Sequence, residues 1–331
     1  MNKLSTSLGY DIFLNKTFEF RLFDDEVSSL YVIDKSIYDI YGRGIPGKKV
    51  VVGPGEKAKD MSVITELYDA CIEEDIDRSG CIIAVGGGAT GDAAGFAAST
   101  FKRGIGFINV PTTLLSMVDS CIGGKTAIDF GGVKNQVGTF YDPKKVYICM
   151  SFLKTLPQRD ICSAMGEVVK YAVLSKEFYD WLNDNLLRVH EADYNVLEDM
   201  IARCLKIKAG IVAKDRLDRG MRACLNMGHT IGHAIEIQYG VSHGLAVAAG
   251  LYNESAISYR LGILSKPHFL AIQDMTDRMD LNTDYPINKE TVDLTIYDKK
   301  NDQGKIGFIL PEEIGKWRRV LLSKEQLINL I

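Results

Sequence analysis

The sequence predicts an α/β protein in which a parallel-sheet domain is followed by a mainly α-helical one. Five short apolar segments are typical of buried strands: LYVID (30–34), KVVVG (49–53), CIIAVGGG (81–88), GFINV (106–110) and VYICM (146–150). Helical patterns such as DMSVITELYDACIEE lie between several of them, and this alternation indicates a parallel sheet covered by helices. Helical patterns then dominate to about residue 265. We therefore expect two domains, 1–158 and 159–331.

Composition narrows the class of protein. Hydrophobic residues make up 46% of the 331 positions and charged residues 25%, which is typical of soluble globular proteins. The formal net charge of −4 disfavours nucleic acid and anionic membranes as partners, and no apolar run approaches the roughly 20 residues that span a bilayer. Seven scattered cysteines without a CxxC pair, and an N-terminus without the apolar core of a signal peptide, predict a cytoplasmic protein with reduced thiols.

A glycine-rich turn follows the third predicted strand. Gly86, Gly88 and Gly91 satisfy GxGxxG, the pattern that lets backbone N–H groups approach a phosphate at a helix N-terminus. The acidic residue expected about 20 positions downstream is missing, and the nearest acidic strand end, Asp34, lies upstream. The turn therefore indicates either dinucleotide binding or a tight strand–helix connection. In the first case, the polar loop PGEKAKD (54–60) would lie on the ligand side of the sheet.

Two loops place polar side chains among small residues. Asp119 and Lys125 lie in VPTTLLSMVDSCIGGKTAID, and Lys134 and Asn135 lie in GGVKNQVG. Either these loops contact a ligand, or they are ordinary turns with solvated lysines.

Other charged side chains fall in helical patterns that are otherwise apolar. Lys208 lies in the apolar stripe of a predicted helix at 197–212, so it must either meet an anionic ligand or extend to solvent. Glu167 and Lys170 lie three residues apart in AMGEVVKYAVL. They form either an exposed ion pair or a buried site in which the carboxylate needs a cation, for which a metal ion is one candidate.

The histidines are clustered. His229, His233 and His243 fall within fifteen positions, although the chain has only five histidines. Zinc accepts histidine nitrogen and carboxylate oxygen, and its catalytic sites use three protein ligands. HTIGH lacks the glutamate of HExxH, which argues against peptide hydrolysis. The cluster, with Glu167, predicts a metal site but does not by itself decide which histidines bind the metal.

From about Val32 to about Pro311 the chain resembles the 3-dehydroquinate synthase family. Seven blocks carry the resemblance, in the family's order: GGGATGDAAGFAASTFKRG, PTTLLSMVDSCIGGKTAID, KNQVGTFYDPKKV, FLKTLPQRD, GEVVKYA, LNMGHTIGHAIE and HGLAV. Two positions depart from the pattern: Leu245 stands where the family has glutamate in HGEAV, and Val133 replaces the glycine of GKN.

The resemblance implies an N-terminal Rossmann-like NAD-binding domain, a C-terminal metal-binding domain and particular site residues. The metal, zinc or alternatively cobalt, would be held by Glu167, His229 and His243, while His233 would lie near the substrate without binding the metal. The resemblance also implies substrate and catalytic contacts at Arg103, Asp119, Lys125, Asn135, Lys170, Lys208, Arg222, Asn226 and Lys300, with Lys299 as the alternative to the last. The NAD contacts that it implies are Asp34, Glu56, Lys59, Gly86, Gly87, Gly88, Gly91, Asp92, Thr112, Thr113 and Lys134.

The implied reaction converts 3-deoxy-D-arabino-heptulosonate 7-phosphate to 3-dehydroquinate and phosphate in the shikimate pathway. It proceeds through transient oxidation by NAD+, phosphate elimination, re-reduction and intramolecular aldol closure, and a homodimer is expected. The alternatives are a sister sugar phosphate cyclase, such as 2-deoxy-scyllo-inosose or 2-epi-5-epi-valiolone synthase, a metal-dependent alcohol or glycerol dehydrogenase, and a catalytically silent binding protein. Arg103, GGKTAID and the Lys134–Asn135 pair favour the dehydroquinate branch.

Overall fold

The computed structural model describes residues 2–19, 28–298 and 305–331. The chain divides into two compact units: the first is Met1–Pro157 with Lys208–Leu217, and the second is Gln158–Ile207 with Asp218–Ile331. This division differs from the expected domains, 1–158 and 159–331, because residues 208–217 are grouped with the first unit.

The first unit is built on β-strands. They are β1 (Asn2–Leu4), β2 (Asp11–Asn15), β3 (Ser29–Asp34), β4 (Lys48–Val52), β5 (Cys81–Gly86), β6 (Gly106–Pro111), β7 (Lys125–Phe130), β8 (Val133–Phe140) and β9 (Lys145–Cys149). Seven of them form a sheet in the order β1-β2-β9-β6-β5-β3-β4, parallel except for the β1–β2 pair. The five predicted strands correspond to β3, β4, β5, β6 and β9, so the predicted parallel sheet is confirmed.

Helices of the described residues that accompany this sheet are α1 (Lys35–Tyr41), α2 (Met61–Glu73) and α3 (Gly88–Thr100). Leu67 of α2, Ala93 and Ala97 of α3 and Ile82 of β5 share one buried core. Most of α3 is glycine and alanine, and eight of its residues are buried. Small side chains let a helix backbone lie close to the sheet, so the residues at its N-terminus are held near the ends of the strands.

Strands β7 and β8 form a separate antiparallel hairpin. Gly131 and Gly132 make the turn with φ of 61° and 78°, a left-handed conformation that glycine adopts without a steric penalty. The sequence predicted only polar loops here, because the exposed residues of β8 do not alternate with buried ones.

The second unit is mainly helical, as predicted. Its helices are α4 (Gln158–Leu174), α5 (Lys176–His190), α6 (Tyr194–Lys214, whose end is grouped with the first unit), α7 (His229–Tyr239), α8 (His243–Arg260), α9 (Lys266–Arg278), α10 (Lys289–Asp298) and α11 (Lys324–Leu330). The hairpin of β10 (Ile306–Glu313) and β11 (Lys316–Leu322) packs in a core with α7, α8 and α11. No helix among the described residues is both long and apolar enough to cross a membrane.

Candidate metal centre and dinucleotide site

The glycine turn joins the end of β5 to the start of α3. Gly87 is the N-cap residue and has no side chain with which to cap the helix, so the first-turn N–H groups of α3 are suited to an anion. A Cβ at Gly86 would lie 2.6 Å from Thr90 Cβ, and one at Gly88 would lie 2.8 Å from Ser120 Oγ. Larger residues would therefore force the turn to open, as either predicted alternative for these glycines requires.

Sheet order explains why the acidic residue lies upstream of the glycine turn. Strand β3 is the direct neighbour of β5, and it ends at Asp34. Strand β4, which follows β3 in the chain, lies beside β3, whereas β6, which follows β5, lies on the other side of β5. The strand order therefore reverses between β3 and β5, and dinucleotides bind at such a reversal in parallel sheets. Asp34 Oδ1 accepts a hydrogen bond of 2.8 Å from the N–H of Ser36 at the start of α1.

Lys59 connects several of the predicted NAD contacts. Its ammonium lies 2.7 Å from Asp92 Oδ2 and 3.7 Å from Glu56 Oε2, and it donates a hydrogen bond of 2.6 Å to Asn135 Oδ1. Burial alone would lower the pKa of Lys59, but these carboxylates, Asp92 foremost, raise it. Burial raises the pKa of Asp92 to about 6, against the opposing charge of Lys59. A charged lysine is thus fixed beside the glycine turn.

A carboxylate missed by the sequence analysis supports Asn135. Asn135 has a φ of 54°, which is unusual for a residue other than glycine. Its N–H donates a hydrogen bond of 2.8 Å to Asp129 Oδ1, and Asp129 lies at the register shift between β7 and β8. No local sequence pattern indicates this bond, because it depends on the irregular pairing of the hairpin.

The remaining predicted NAD contacts lie on the same unit. Thr112 is buried directly after β6, and Thr113 Oγ1 lies 2.9 Å from Ser116 Oγ. Gly91 is buried in α3, where a Cβ would meet the side chain of Asn109 at 3.3 Å, and Lys134 is exposed on β8.

Lys208 pairs with Asp119 inside the first unit. Its ammonium lies 3.0 Å from Asp119 Oδ1 and donates a hydrogen bond of 2.7 Å to the Asp119 carbonyl oxygen. Only 6% of Lys208 is exposed, so the alternative in which it extends to solvent is wrong, and its ammonium meets the Asp119 carboxylate. Asp119 lies in a single π-helical turn, Ser116–Ser120, a conformation frequent at functional sites. Two predicted substrate contacts are thus brought together. Arg103 is exposed on this unit, and Lys125, also exposed, lines one cavity with Gly88, Asp92 and Ser120.

The predicted metal ligands meet in the second unit. Glu167 lies in the middle of α4, and His229 and His243 are the first residues of α7 and α8. Both histidine Nε2 atoms lie 3.4 Å from Glu167 Oε1, and one ligand atom from each residue falls within 4.8 Å of the others. Both Glu167 carboxylate oxygens are fully buried, and the Lys170 ammonium contacts Oε2. Two imidazoles and a desolvated carboxylate are a donor set that fits zinc or cobalt.

The other ring nitrogen of each ligand histidine has a protein partner. His229 Nδ1 lies 3.1 Å from the Met227 carbonyl oxygen, and His243 Nδ1 lies 2.9 Å from Glu236 Oε2. When Nδ1–H donates to these acceptors, each Nε2 presents its lone pair to the position shared with Glu167. Glu236 was missed by the sequence analysis, although it lies seven residues before His243 in the quoted GHAIE block.

The pKa values of the centre reflect its buried charges. Burial would raise the pKa of Glu167, but the Lys170 ammonium, which contacts its carboxylate, and the two histidines hold that pKa well below its usual range. Burial lowers the pKa of His229 to about 4. Burial also opposes protonation of His243, yet Glu167 and Glu236 together raise its pKa to about 10. The alternative of an exposed Glu167–Lys170 pair is wrong, since both residues are 1% exposed.

His233 lies beside the ligands but outside the ligand set. Its ring centroid is 5.2 Å from that of His229 and 5.9 Å from that of His243. The two histidines of GHTIGH therefore do not both belong to the three-residue metal cluster. Arg222 is buried and Asn226 half-buried in the short 3-10 helix that precedes α7. Lys299 and Lys300 lie outside the described residues.

Glycine contacts bring the three ligand-bearing helices together. A Cβ at Gly166 of α4 would lie 1.8 Å from the Gly244 carbonyl oxygen of α8. A Cβ at Gly250 of α8 would lie 1.9 Å from the carbonyl oxygen of Gly228, the N-cap residue of α7. Because α8 approaches both neighbours at backbone distance, Glu167, His229 and His243 reach a common point.

The first unit has a parallel sheet with a glycine turn of the kind that binds phosphate, and the second has a cluster of two histidines and a carboxylate that could hold a metal ion. Together these features are typical of enzymes that depend on a dinucleotide and a metal ion. The family model described as 3-dehydroquinate synthase N-terminal matches residues 49–163, and the one described as 3-dehydroquinate synthase C-terminal matches 164–301. The 3-dehydroquinate synthase of Alkaliphilus metalliredigens is 41% identical over 318 residues, which cover 94% of this chain and 88% of that one. The chain belongs to the 3-dehydroquinate synthase family, and the predicted membership is confirmed.

Solved structures share the fold. The 2-epi-5-epi-valiolone synthase of Streptomyces hygroscopicus subsp. jinggangensis, with NAD+ and Zn2+ bound, is 23% identical with a TM-score of 0.87, covering 98% of this chain and 96% of that one. A 2-deoxy-scyllo-inosose synthase complexed with carbaglucose-6-phosphate, NAD+ and Co2+ is 24% identical with a TM-score of 0.82, covering 99% and 98%. The predicted fold class is confirmed.

Proposed function

We propose that the protein converts 3-deoxy-D-arabino-heptulosonate 7-phosphate to 3-dehydroquinate and phosphate, using NAD+ and a divalent metal ion, zinc or cobalt. The observation that carries the proposal is the cluster of the buried Glu167 with His229 and His243, beside Lys170, in a chain 41% identical to a 3-dehydroquinate synthase. The NAD+ site belongs to the first unit and the metal site to the second.

Glu167, His229 and His243 would hold a metal ion that supplies Lewis-acid polarisation of the substrate hydroxyl, and the glycine turn would hold NAD+, which supplies a reversible hydride acceptor. Lys170 offsets the charge of Glu167, which keeps that carboxylate ionised as a ligand. His233 holds an imidazole beside the two ligand rings, where it can exchange a proton with the substrate hydroxyl. Arg222, buried in the second unit, supplies a cationic group of the kind that a phosphate or a carboxylate requires.

The deciding experiment follows both products and the cofactor. Purified protein is given the heptulosonate phosphate with NAD+ and zinc, and phosphate, dehydroquinate and absorbance at the NADH wavelength are recorded. We expect equal amounts of phosphate and dehydroquinate with no accumulation of NADH, because the hydride is returned in each turnover. Turnover of glucose 6-phosphate or sedoheptulose 7-phosphate instead would reassign the chain to a sister cyclase. Net NADH from a polyol would make it a dehydrogenase.

The family resemblance also supports a cytoplasmic homodimer. All seven cysteines carry free thiols, and six of them are buried, in keeping with a reducing compartment. Light scattering after size exclusion is expected to give twice the chain mass of 36.7 kDa, and a monomer across micromolar concentrations would contradict the dimer.

A further inference from the structure

A buried carboxylate outside the ligand set caps the helix that begins at His229. Glu254 lies in α8 and is 0% exposed. Its Oε2 accepts a hydrogen bond of 2.7 Å from the N–H of Gly228, and its Oε1 accepts one of 3.0 Å from the N–H of Ile231. Gly228 is the N-cap of α7 and Ile231 is the third residue of that helix. One side chain therefore satisfies two backbone donors at the same helix terminus.

The local sequence cannot do this by itself. An N-cap serine, threonine or aspartate would accept the N–H of the second or third helical residue, but Gly228 has no side chain. Gly228 has a φ of 78°, and a Cβ added to it would lie 2.8 Å from the Val247 carbonyl oxygen. Serine, threonine and aspartate are therefore excluded at this position. Glu254 replaces the missing cap from a neighbouring helix, and its negative charge faces the positive end of the α7 dipole.

The two hydrogen bonds lie on either side of the metal ligand His229 in the chain. His229 is the residue directly after Gly228 and lies two before Ile231, so both flanking backbone groups are tied to α8. His243, the second histidine ligand, is the first residue of that same helix. The bonds therefore fix the start of α7 relative to the helix that carries the other histidine.

We propose that Glu254 is a positioning residue of the metal centre, holding His229 Nε2 towards Glu167 through the N-terminus of α7. The inference rests on the proposed metal-dependent function. It requires that Glu254 govern metal affinity and coordination geometry as well as stability.

The test compares Co2+ binding by the full-length wild type, Glu254→Gln and Glu254→Ala. Affinity is measured by titration, coordination by the visible absorption of the bound ion, and stability by the Tm of the metal-free proteins. Glutamine keeps one acceptor oxygen and the side-chain shape, so its Co2+ affinity should fall by about tenfold, and that of the alanine variant by up to about a hundredfold, with a changed spectrum. NAD+ affinity should be unchanged in both, since the glycine turn belongs to the other unit.

Ser258→Ala is the matched control. Ser258 is also buried in α8, and its hydroxyl donates a hydrogen bond of 2.6 Å to the Pro311 carbonyl oxygen. This variant should lose stability and keep the Co2+ affinity and spectrum of the wild type. If both Glu254 variants bind Co2+ like the wild type while their Tm falls, Glu254 is only structural and the inference is overturned. Failure of the wild type itself to bind Co2+ would instead refute the proposed metal-dependent function.

Discussion

Two chemically identical side chains, His229 and His243, have opposite pKa shifts at the metal centre. Each presents Nε2 at 3.4 Å from the same Glu167 oxygen. The side chain of His229 is 11% exposed and that of His243 is 35% exposed, and only His243 has a second carboxylate, Glu236, at its other ring nitrogen. In the metal-free protein, a proton at the centre is therefore held by His243, while His229 stays neutral.

Metal affinity should consequently rise with pH. The pKa of His243 is raised to about 10 from 6.5. Its protonated form therefore stabilises the metal-free fold fully below pH 6.5, and this stabilisation is lost as the pH rises through about 10. A metal ion needs the unprotonated nitrogen, so binding at pH 7 should release about one proton, and affinity should rise about tenfold per pH unit. Calorimetry in two buffers of different ionisation enthalpy counts that proton, and no release between pH 6.5 and 8.5 would contradict the assignment.

Glu167 should be indispensable for metal binding. Replacing it with glutamine leaves Lys170 buried without its carboxylate and removes the anionic ligand, so Glu167→Gln should bind zinc at least about a hundredfold more weakly and lose activity. Glu177→Gln, the same change at a side chain 90% exposed, is the control and should match the wild type. Metal content after dialysis and phosphate release measure the two effects. Full activity of Glu167→Gln without metal would exclude this ligand set.

The residues of the metal cluster were predictable from the sequence, whereas the residues that hydrogen-bond to the site residues were not. Glu167 and the three histidines were recognisable because polar groups in apolar surroundings, and a cluster of a rare residue, are local signals. The choice of His229 and His243 over His233 came from the family resemblance alone. Glu236 and Glu254 were missed because a glutamate on a helix is ordinarily solvated, and nothing local shows that another helix buries it. Asp129 was missed because its bond to Asn135 depends on an irregular hairpin register. Hydrogen bonds of this kind are tertiary contacts, and the hydrophobic periodicity of a sequence does not encode them.

At the scale of elements, the centre depends on how closely α8 approaches α4 and α7. The five predicted strands were recoverable because buried parallel strands are continuous apolar runs. The helix contacts were not recoverable, since glycines inside a helical pattern ordinarily indicate lower helix stability. In the structure, Gly166, Gly244 and Gly250 are among the points at which these helices meet at backbone distance.

Gly250→Ala should therefore disrupt the centre. The added Cβ would lie 1.9 Å from the Gly228 carbonyl oxygen, so α7 must move away from α8. We expect unfolding to become easier by about 1–3 kcal/mol and zinc affinity to fall, because the start of α7 carries His229. Chemical denaturation and zinc titration measure these effects.

Gly210→Ala is the control for the intrinsic effect of alanine in a helix. Gly210 lies in α6, where a Cβ meets nothing within 4 Å, so the substitution should stabilise the protein by about 0.5–1 kcal/mol and leave zinc affinity unchanged. Wild-type zinc affinity in Gly250→Ala would show that the close contact does not set the ligand geometry.

For the whole molecule, the two proposed ligands bind groups that belong to different compact units. The glycine turn, Lys59 and Asp92 lie in the first unit, and the three metal ligands lie in the second. Each unit has a buried core of its own. Stabilisation by each ligand should therefore be greatest in the unit that binds it, because a ligand lowers the free energy only of states that retain its site.

Hydrogen exchange of the backbone amides tests this separation. In the metal-free protein, NAD+ should slow exchange most at the start of α3 and in residues 54–60, where the N–H groups and Lys59 would contact the dinucleotide. Zinc alone should slow exchange most in α4 around Glu167 and in the first turns of α7 and α8, which carry the ligands. The Glu167→Gln variant should lose the zinc effect and keep the NAD+ effect. Zinc protection centred on α3, or NAD+ protection centred on α7 and α8, would contradict the assignment of the two ligands to the two units.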